Sequence, residues 1–259
     1  MRVALAQMDI KLADPDFNFR FVEKVIEKSA QEGSDVVVLP EMWNTGYALD
    51  HLNELADPLG QRTKTELGKL AKAYHLNIVG GSVALARDNN FYNEMMIFNR
   101  AGELIGSYDK VHRFGLMAED RYIMAGSKEN IFSVDGVLST GVICYDIRFP
   151  EWLRKMAAKG AQIIFVSAEW PTARIKQWRL LLQARAIENQ AFVVAVNRVG
   201  SDMDNEFGGD SLIVDPLGEI IAEAGEEEQL MICEFDESTV KQVRGQMPVF
   251  ADRRTELYY

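Results

Sequence analysis

The sequence contains few cysteines and no long apolar run, and both absences exclude classes of protein. Cys144 and Cys233 are the only cysteines among 259 residues, which is too few for a disulfide scaffold and is typical of a reducing compartment. No apolar stretch approaches the ~20 residues that span a bilayer, and the apolar run at the N-terminus is too short for a signal peptide. We therefore expect a cytoplasmic protein that has no membrane partner.

Positive charge is also scarce. The chain has 28 Lys and Arg against 39 Asp and Glu, which gives a formal net charge of −11. Binding to nucleic acid depends mainly on Lys and Arg, so we expect no nucleic-acid partner. Hydrophobic residues make up 47% of the chain and charged residues 26%, as in ordinary globular proteins. A chain of this length can bury a core without a disulfide or a structural metal.

Several cofactor motifs are missing. The sequence has no Gly-rich Walker loop, no Gly-x-Gly-x-x-Gly, no His-Glu-x-x-His and no Cys-x-x-Cys. Nucleotide and zinc sites therefore lack their usual scaffolds. We predict no metal site.

Short β-branched strands alternate with helical patterns along the chain. The apolar run 35–39, bounded by Gly33 and Pro40, predicts a buried central strand. Asp14 followed by Pro15 predicts the start of a helix. Neither a linker nor a repeat is visible, so the sequence predicts one α/β domain over residues 1–259, with mixed sheets covered by helices. Helices are predicted at 15–31, 63–74, 150–159 and 175–189. Strands are predicted near 3–7, 35–39, 78–83, 163–166, 192–196, 212–214, 220 and 231, with two strands around a turn within 92–108 and two more within 131–143.

Cys144 lies where a predicted strand gives way to a helix. A cysteine at such a junction is near a helix N-terminus, where aligned amides lower the thiol pKa and can bind an oxyanion. The alternative is a small buried hydrophobic residue, which is a common role for free cysteine. Cys233 lies inside the apolar run 230–233 with no junction after it, so we expect it in the core.

Glu41 and Lys110 also follow predicted strands. Partial burial of Glu41 beside Trp43 would raise its pKa toward the range of a general base, although a solvent-exposed loop carboxylate is the alternative. Lys110 lies at the end of the strand before His112, and most lysines are surface charges. A Cys-His hydrolase with His112 as its base is a competing interpretation.

Taken together, the segments around Glu41, Lys110 and Cys144 strongly resemble the three signatures of the nitrilase superfamily, the carbon-nitrogen hydrolases. The resemblance extends over roughly residues 2 to 250 and is greatest to the omega-amidases, which hydrolyse the terminal amide of 2-oxo-dicarboxylate monoamides. One departure is the segment 113–115, where relatives often have Leu-Phe, and this affects the expected pocket shape. Further matching segments are 6–7, 119–126, 169–171, 183–190, 197–200 and 209–216.

The resemblance implies a four-layer α-β-β-α sandwich in which these three residues converge, and chemistry that needs no cofactor. Cys144 would attack an amide carbonyl, and Lys110 with the backbone N–H of Tyr145 would hold the oxyanion. Glu41 would act as the general base. Glu119 would position the substrate amide and help to set the protonation of Lys110.

The substrate-binding residues are predicted less directly. Trp170 follows a predicted strand and is expected to form a pocket wall near Cys144, with Trp43 and Tyr47 closing the other side; core packing is the alternative for Trp43. Arg148 or Arg174 would meet a substrate carboxylate. We therefore expect a small carboxylate-bearing amide, such as 2-oxoglutaramate or succinamate.

Arg148 has an alternative role as an ion-pair partner of Glu151 or Asp146 at the helix start. Other functions also stay open: hydrolysis of N-carbamoyl amides or nitriles by the same triad, or a non-catalytic binding or assembly module. A homodimer or a larger even assembly is predicted from the long helix, since relatives pair through the corresponding region. The helix residues used for that prediction are Trp178, Leu181, Leu182, Arg185 and Glu188.

Overall fold

The computed structural model describes residues 1–202 and 204–258. Most of its strands lie in two large sheets, and the remaining two form a small hairpin. The strands, in chain order, are β1 Arg2–Gln7, β2 Val36–Val38, β3 Asp57–Pro58, β4 Asn77–Arg87, β5 Asn90–Phe98, β6 Leu104–Asp109, β7 Ile131–Val134, β8 Val137–Ile143, β9 Ile163–Ala168, β10 Phe192–Asn197, β11 Val199–Ser201, β12 Glu206–Gly208, β13 Leu212–Val214, β14 Ile220–Glu223 and β15 Gln229–Glu234.

The four predicted helices begin and end within two residues of their predicted positions, whereas the short helices at 52–55 and 119–122 were not predicted. The first helix starts where expected, because the Asp14 carboxylate accepts a hydrogen bond from the Phe17 N–H (2.9 Å) and Pro15 occupies the first turn. The last helix was not predicted, since its short sequence buries only Val240 and Val243. The helices are α1 Pro15–Gln31, α2 Leu52–Leu55, α3 Gln61–Tyr74, α4 Glu119–Tyr122, α5 Pro150–Ala157, α6 Ile175–Asn189 and α7 Ser238–Gln246.

Each large sheet has a parallel centre with antiparallel strands at its margins. The first sheet has the order β15-β1-β2-β4-β5-β6, with β3 paired to β4, and the second has the order β14-β13-β10-β9-β8-β7. Strands β1, β2 and β4 are parallel to one another, as are β8, β9 and β10. Two successive antiparallel pairings give β6 the same direction as β4. Strands β2 and β6 therefore end at the same edge of the first sheet.

The two large sheets pack face to face through one buried cluster of side chains. Side chains of both sheets, including Leu5 and Val38 from the first and Val142 from the second, belong to one buried cluster. Helices α1 and α3 cover the outer face of the first sheet through residues such as Phe19 and Leu67. Helices α5 and α6 cover the second sheet through a similar set: Leu153, Met156, Trp178, Leu182 and Ala186. The predicted four-layer α-β-β-α sandwich is confirmed.

Cys233 departs from its expected place in the core. It lies in β15, the edge strand of the first sheet, and is only half-buried. An edge strand has a neighbour on one side only, and this explains why an apolar run there is not fully covered. Both cysteines are free. No helix in residues 1–202 and 204–258 is long and apolar enough to cross a membrane.

Candidate active site

Glu41, Lys110 and Cys144 are buried where three strands end. Glu41 follows β2, Lys110 directly follows β6, and Cys144 directly follows β8. The side chains of Glu41 and Lys110 are completely inaccessible, and Cys144 is 5% exposed. Ligands of layered α/β proteins bind beyond the carboxyl ends of parallel strands, and the three residues meet at such an edge.

Lys110 lies between two carboxylates. Its Nζ is 2.7 Å from Glu41 Oε1 and 2.7 Å from Glu119 Oε2, and it donates to the Tyr47 hydroxyl at 3.2 Å. Burial alone would lower the lysine pKa, but the charges of Glu119 and Glu41 outweigh it and the pKa is raised. Lys110 is therefore a fixed buried cation.

Glu41 is held at both carboxylate oxygens. Its Oε1 accepts hydrogen bonds from the Tyr47 hydroxyl (2.7 Å) and from Asn93 Nδ2 (2.9 Å), and its Oε2 accepts from the Glu169 N–H (2.9 Å). Burial raises the Glu41 pKa, but the charge of Lys110 and these hydrogen bonds give a net lowering. The expectation of a raised pKa is wrong, because it considered burial without the lysine.

Cys144 opens the 3₁₀ turn Cys144–Arg148 with a left-handed backbone (φ 44°), an arrangement that is strained for a non-glycine residue. The turn is held by Asp146, whose Oδ2 accepts hydrogen bonds from the Ile143 N–H (3.0 Å) and the Tyr108 hydroxyl (2.8 Å). Burial, and then the charge of Glu41, raise the pKa of the Cys144 thiol well above its usual value, against an opposing effect of Lys110. The expected lowering is wrong, and the thiol rests protonated.

Glu119 begins the short helix α4 and completes the buried cluster. Its Oε2 also accepts a hydrogen bond from the Phe114 N–H (2.7 Å), and its Oε1 accepts from Asn93 Nδ2 (3.0 Å). Burial raises its pKa, while Lys110 lowers it and Glu41 raises it further, so that the net shift is upward. We call Glu41, Lys110, Glu119 and Cys144 the nucleophile cluster.

A narrow cavity of about 10 Å³, room for about one water molecule, lies beside Cys144. It is smaller than the ~300–1,000 Å³ of sites for drug-sized ligands. Trp170 forms a wall, fixed by its N–H donating to Asn197 Oδ1 (2.7 Å) and its Nε1 donating to the Arg174 carbonyl (2.9 Å). The lining residues are Phe114, Cys144, Tyr145, Arg148, Trp170, Pro171 and Arg174.

Trp43 does not line this cavity, contrary to expectation. It is fully buried in the layer between the first sheet and α1, where its ring meets Phe19 edge-on at 4.7 Å and its Nε1 donates to the Gly80 carbonyl (2.7 Å). The intervening Met42 has a left-handed backbone (φ 44°), and Glu41 and Trp43 take different environments on its two sides. Tyr47, the other residue expected there, instead contacts Glu41 and Lys110.

Arg148 does not form the alternative ion pair with Glu151 or Asp146. Its guanidinium lies 4.8 Å from the centre of the Trp170 ring and donates to Gln177 Oε1 at 2.5 Å. No carboxylate in residues 1–202 and 204–258 lies within 4 Å of it.

His112 is not placed to serve Cys144 as a base. Its Nδ1 lies 2.7 Å from Asp146 Oδ1, and its ring stacks on Phe149 at 3.7 Å. These contacts make His112 a support of the Asp146 carboxylate. The geometry therefore does not support a Cys-His hydrolase in which His112 is the base.

Sequence reasoning missed Asn93, which joins Glu41 to Glu119, and the buried contact of Glu169 with Arg198. Glu169 Oε2 lies 2.9 Å from Arg198 Nη1, and both side chains are completely buried. Burial raises the Glu169 pKa to about 8, although the charge of Arg198 opposes the shift. Its Oε1 has no partner among the described residues. Asn93 had only a weak signal, a polar residue within a predicted strand.

Metal ligands are not clustered in the part of the chain that the structure describes: no group of three or more His, Cys, Asp or Glu side chains there is arranged to hold an ion.

Comparisons with known proteins identify the family. The model of the carbon-nitrogen hydrolase family matches residues 2–245. A 2-oxoglutaramate amidase of Bacillus subtilis is 48% identical over 99% of this chain and 98% of its own, and an omega-amidase of Yersinia enterocolitica is 35% identical over 97% and 96%. The crystal structure of Saccharomyces cerevisiae Nit3, a member of the nitrilase superfamily, superposes with a TM-score of 0.91 at 30% identity, covering 98% and 96% of the two chains. The chain is a carbon-nitrogen hydrolase of the nitrilase superfamily, an enzyme of the amidase type.

Proposed function

We propose that this enzyme hydrolyses the terminal amide of a small carboxylate-bearing amide, with 2-oxoglutaramate as the leading candidate, to the acid and ammonia. The observation that carries the proposal is the buried Lys110 ammonium, fixed between two carboxylates at 2.7 Å beside a buried cysteine. The names of the amidases to which the chain is similar support the substrate.

Acylation begins with a protonated thiol. As the Cys144 sulfur bonds to the amide carbon, its proton passes to Glu41, which becomes neutral. The π electrons of the C=O bond move to the carbonyl oxygen, which takes up the negative charge. A raised thiol pKa and a lowered Glu41 pKa disfavour this transfer in the resting enzyme. The transfer is therefore coupled to bond formation, which avoids a free thiolate beside two carboxylates.

The oxyanion needs donors that are already in place. The Lys110 ammonium and the Tyr145 N–H would supply them, the lysine by turning toward the oxyanion the N–H that it otherwise donates to the Tyr47 hydroxyl. Each such donor typically contributes on the order of 3 kcal/mol of transition-state stabilisation. Because the contacts to Glu41 and Glu119 already fix Lys110, little reorganisation is needed when the charge appears.

The remaining steps return each proton. Glu41 gives the thiol proton to the amide nitrogen, the C–N bond breaks, and ammonia leaves a thioester on Cys144. Water then attacks the thioester carbon while Glu41 takes its proton. The C–S bond breaks, the proton returns to sulfur, and the acid is released, so that no cofactor is consumed.

A panel assay of ammonia release tests the proposal. We expect succinamate and 2-oxoglutaramate to be hydrolysed about thirtyfold more efficiently than neutral amides of equal length, since a carboxylate contact in a shielded site contributes about 2 kcal/mol. Equal efficiency on charged and neutral amides would reject the carboxylate requirement. Better turnover of an N-carbamoyl compound or a nitrile would favour those alternatives, and no turnover at all would favour a binding or assembly module.

We also propose that the enzyme is a cytoplasmic homodimer or a larger even assembly. Three of the α6 residues that were expected at the interface, Trp178, Leu182 and Arg185, are instead buried in their own chain. Leu180 and Ile187 on that helix are instead 69% and 52% exposed, and they support an interface there. Sedimentation in dilute solution is expected to show more than one chain per particle; a particle of 29.2 kDa alone would reject the assembly.

A further inference from the structure

Two arginines, Arg148 and Arg174, line the cavity beside Cys144. We call them the arginine pair. Within residues 1–202 and 204–258, neither guanidinium has a carboxylate within 4 Å. Two neighbouring cations without an acidic partner favour a ligand that brings negative charge.

The two guanidiniums differ in how they are held. Arg148 donates to Gln177 and stacks on Trp170, which fixes the plane of its donors. The Arg174 guanidinium has no hydrogen-bond partner in the described part of the chain and lies 5.5 Å from the centre of the Phe114 ring. Its backbone is fixed, because the Arg174 carbonyl accepts from Trp170 Nε1. Arg174 is therefore anchored beside the pocket with its donors unused.

A single carboxylate can be held bidentately by one guanidinium. A substrate with only a carboxylate at its far end would thus leave the second cation unsatisfied. A 2-oxo acid presents a third oxygen next to its carboxylate and offers an acceptor to both. A 2-amino acid presents an ammonium at the same carbon, which two guanidiniums repel.

We infer that Arg174 is a specificity-determining residue that recognises an oxygen on the carbon next to the substrate carboxylate, while Arg148 binds the carboxylate itself. The inference rests on the proposed function and assigns the discrimination between 2-oxo acid amides and their 2-deoxo analogues to one residue, Arg174. The order of catalytic efficiency is then 2-oxoglutaramate, the monoamide of glutarate, and last L-glutamine, three amides with the same carbon chain.

Kinetics on the first two amides test this role. The Arg174→Gln variant is expected to lower the ratio of kcat/KM for 2-oxoglutaramate over glutarate monoamide by about tenfold, as for loss of one hydrogen bond from a charged group, mainly through KM. Arg148→Gln is the matched control, and it is expected to weaken both substrates together. An unchanged ratio in Arg174→Gln, or a change of ratio only in Arg148→Gln, would overturn the assignment.

A binding measurement separates this inference from the proposed activity. In the Cys144→Ala protein, calorimetry is expected to show 2-oxoglutarate binding more tightly than glutarate, with that preference lost when Arg174→Gln is added. If the enzyme hydrolysed neither amide, the proposed function would be wrong, but the difference in binding between 2-oxoglutarate and glutarate would still test the role of Arg174. Equal binding of the two diacids would overturn the inference even in an active amidase.

Discussion

At the nucleophile cluster, Lys110 Nζ lies 2.7 Å from both Glu41 and Glu119, whereas the arginine pair has no carboxylate within 4 Å among the described residues. The first region is fully buried and satisfied by its own chain. The second is half-buried and has unused donors. The contrast separates two tasks: the chemistry is organised before the substrate arrives, and the recognition site is completed by the substrate.

The largest expected effect comes from removing the nucleophile. Cys144→Ala should lower kcat by more than about 10⁴-fold, as removal of a covalent nucleophile does, with little change in melting temperature. Steady-state ammonia release and thermal unfolding measure the two quantities. Cys233→Ala is the matched control and should keep activity, because Cys233 lies in the edge strand β15. Activity that is lost on alkylation of Cys233 alone would contradict this division.

Next in size is the loss of the general base. Glu41→Gln keeps the shape of the side chain but removes its charge, and kcat should fall by about 10³-fold with a smaller change in KM. Lys110 keeps Glu119 as a partner, so the variant is expected to fold. Glu23→Gln, at an exposed position of α1, is the control and should match the unsubstituted enzyme. A KM effect without a kcat effect would show that Glu41 binds substrate and does not move protons.

A pair of tryptophan variants distinguishes pocket from core. Trp170→Phe should raise KM for carboxylate substrates several-fold, because it removes the indole hydrogen bond to the Arg174 carbonyl. Trp43→Phe should leave KM unchanged and lower the free energy of unfolding by about 1–3 kcal/mol, since it leaves the buried Gly80 carbonyl unpaired. Kinetics and chemical denaturation on both variants test this, and interchanged results would place Trp43 at the pocket.

The last prediction concerns the pH dependence of stability, with no loss of catalytic rate expected. Glu169 has a folded-state pKa of about 8, above the ordinary value of 4.5. Between these values the folded state binds one more proton than the unfolded state, so this group stabilises the fold at low pH and the effect is lost as pH rises toward 8. The slope is at most ~1.4 kcal/mol per pH unit. The unfolding free energy of Glu169→Gln should decline less steeply than that of the unsubstituted protein from pH 5 to 8; equal slopes would contradict a protonated Glu169.

Much of the fold and of the nucleophile cluster is readable from the sequence because each element carries a local signal. The Asp14-Pro15 start of α1 and the apolar run of β2 are examples. Each of the three residues Glu41, Lys110 and Cys144 lies at or just beyond the end of a strand. Strand prediction and the family signatures therefore both indicate that they meet at one site. The predicted roles of these residues stay proposals until the variants are measured.

The rest depends on contacts between distant segments. The predicted pKa direction of Glu41 was wrong because local sequence indicates burial but not a lysine 69 positions away in the chain. The predicted direction for Cys144 was wrong because local sequence indicates a helix end but neither the complete burial of the thiol nor the charge of Glu41 beside it. Asn93 and the Glu169–Arg198 pair are polar residues whose partners appear only after the sheets have stacked. Trp43 shows the same limit, since its contacts with Phe19 and the Gly80 carbonyl form only when α1 packs on the first sheet.

The pairing of β1 with β15 has a consequence for synthesis on the ribosome. Arg2 is paired with Glu234 and Gln7 with Gln229, so one edge of the first strand to be made stays open until almost the last strand has emerged. An open strand edge is a template for wrong pairing, and such long-range closure is slow. A chain interrupted before residue 229 therefore leaves this edge of β1 uncovered and prone to aggregation.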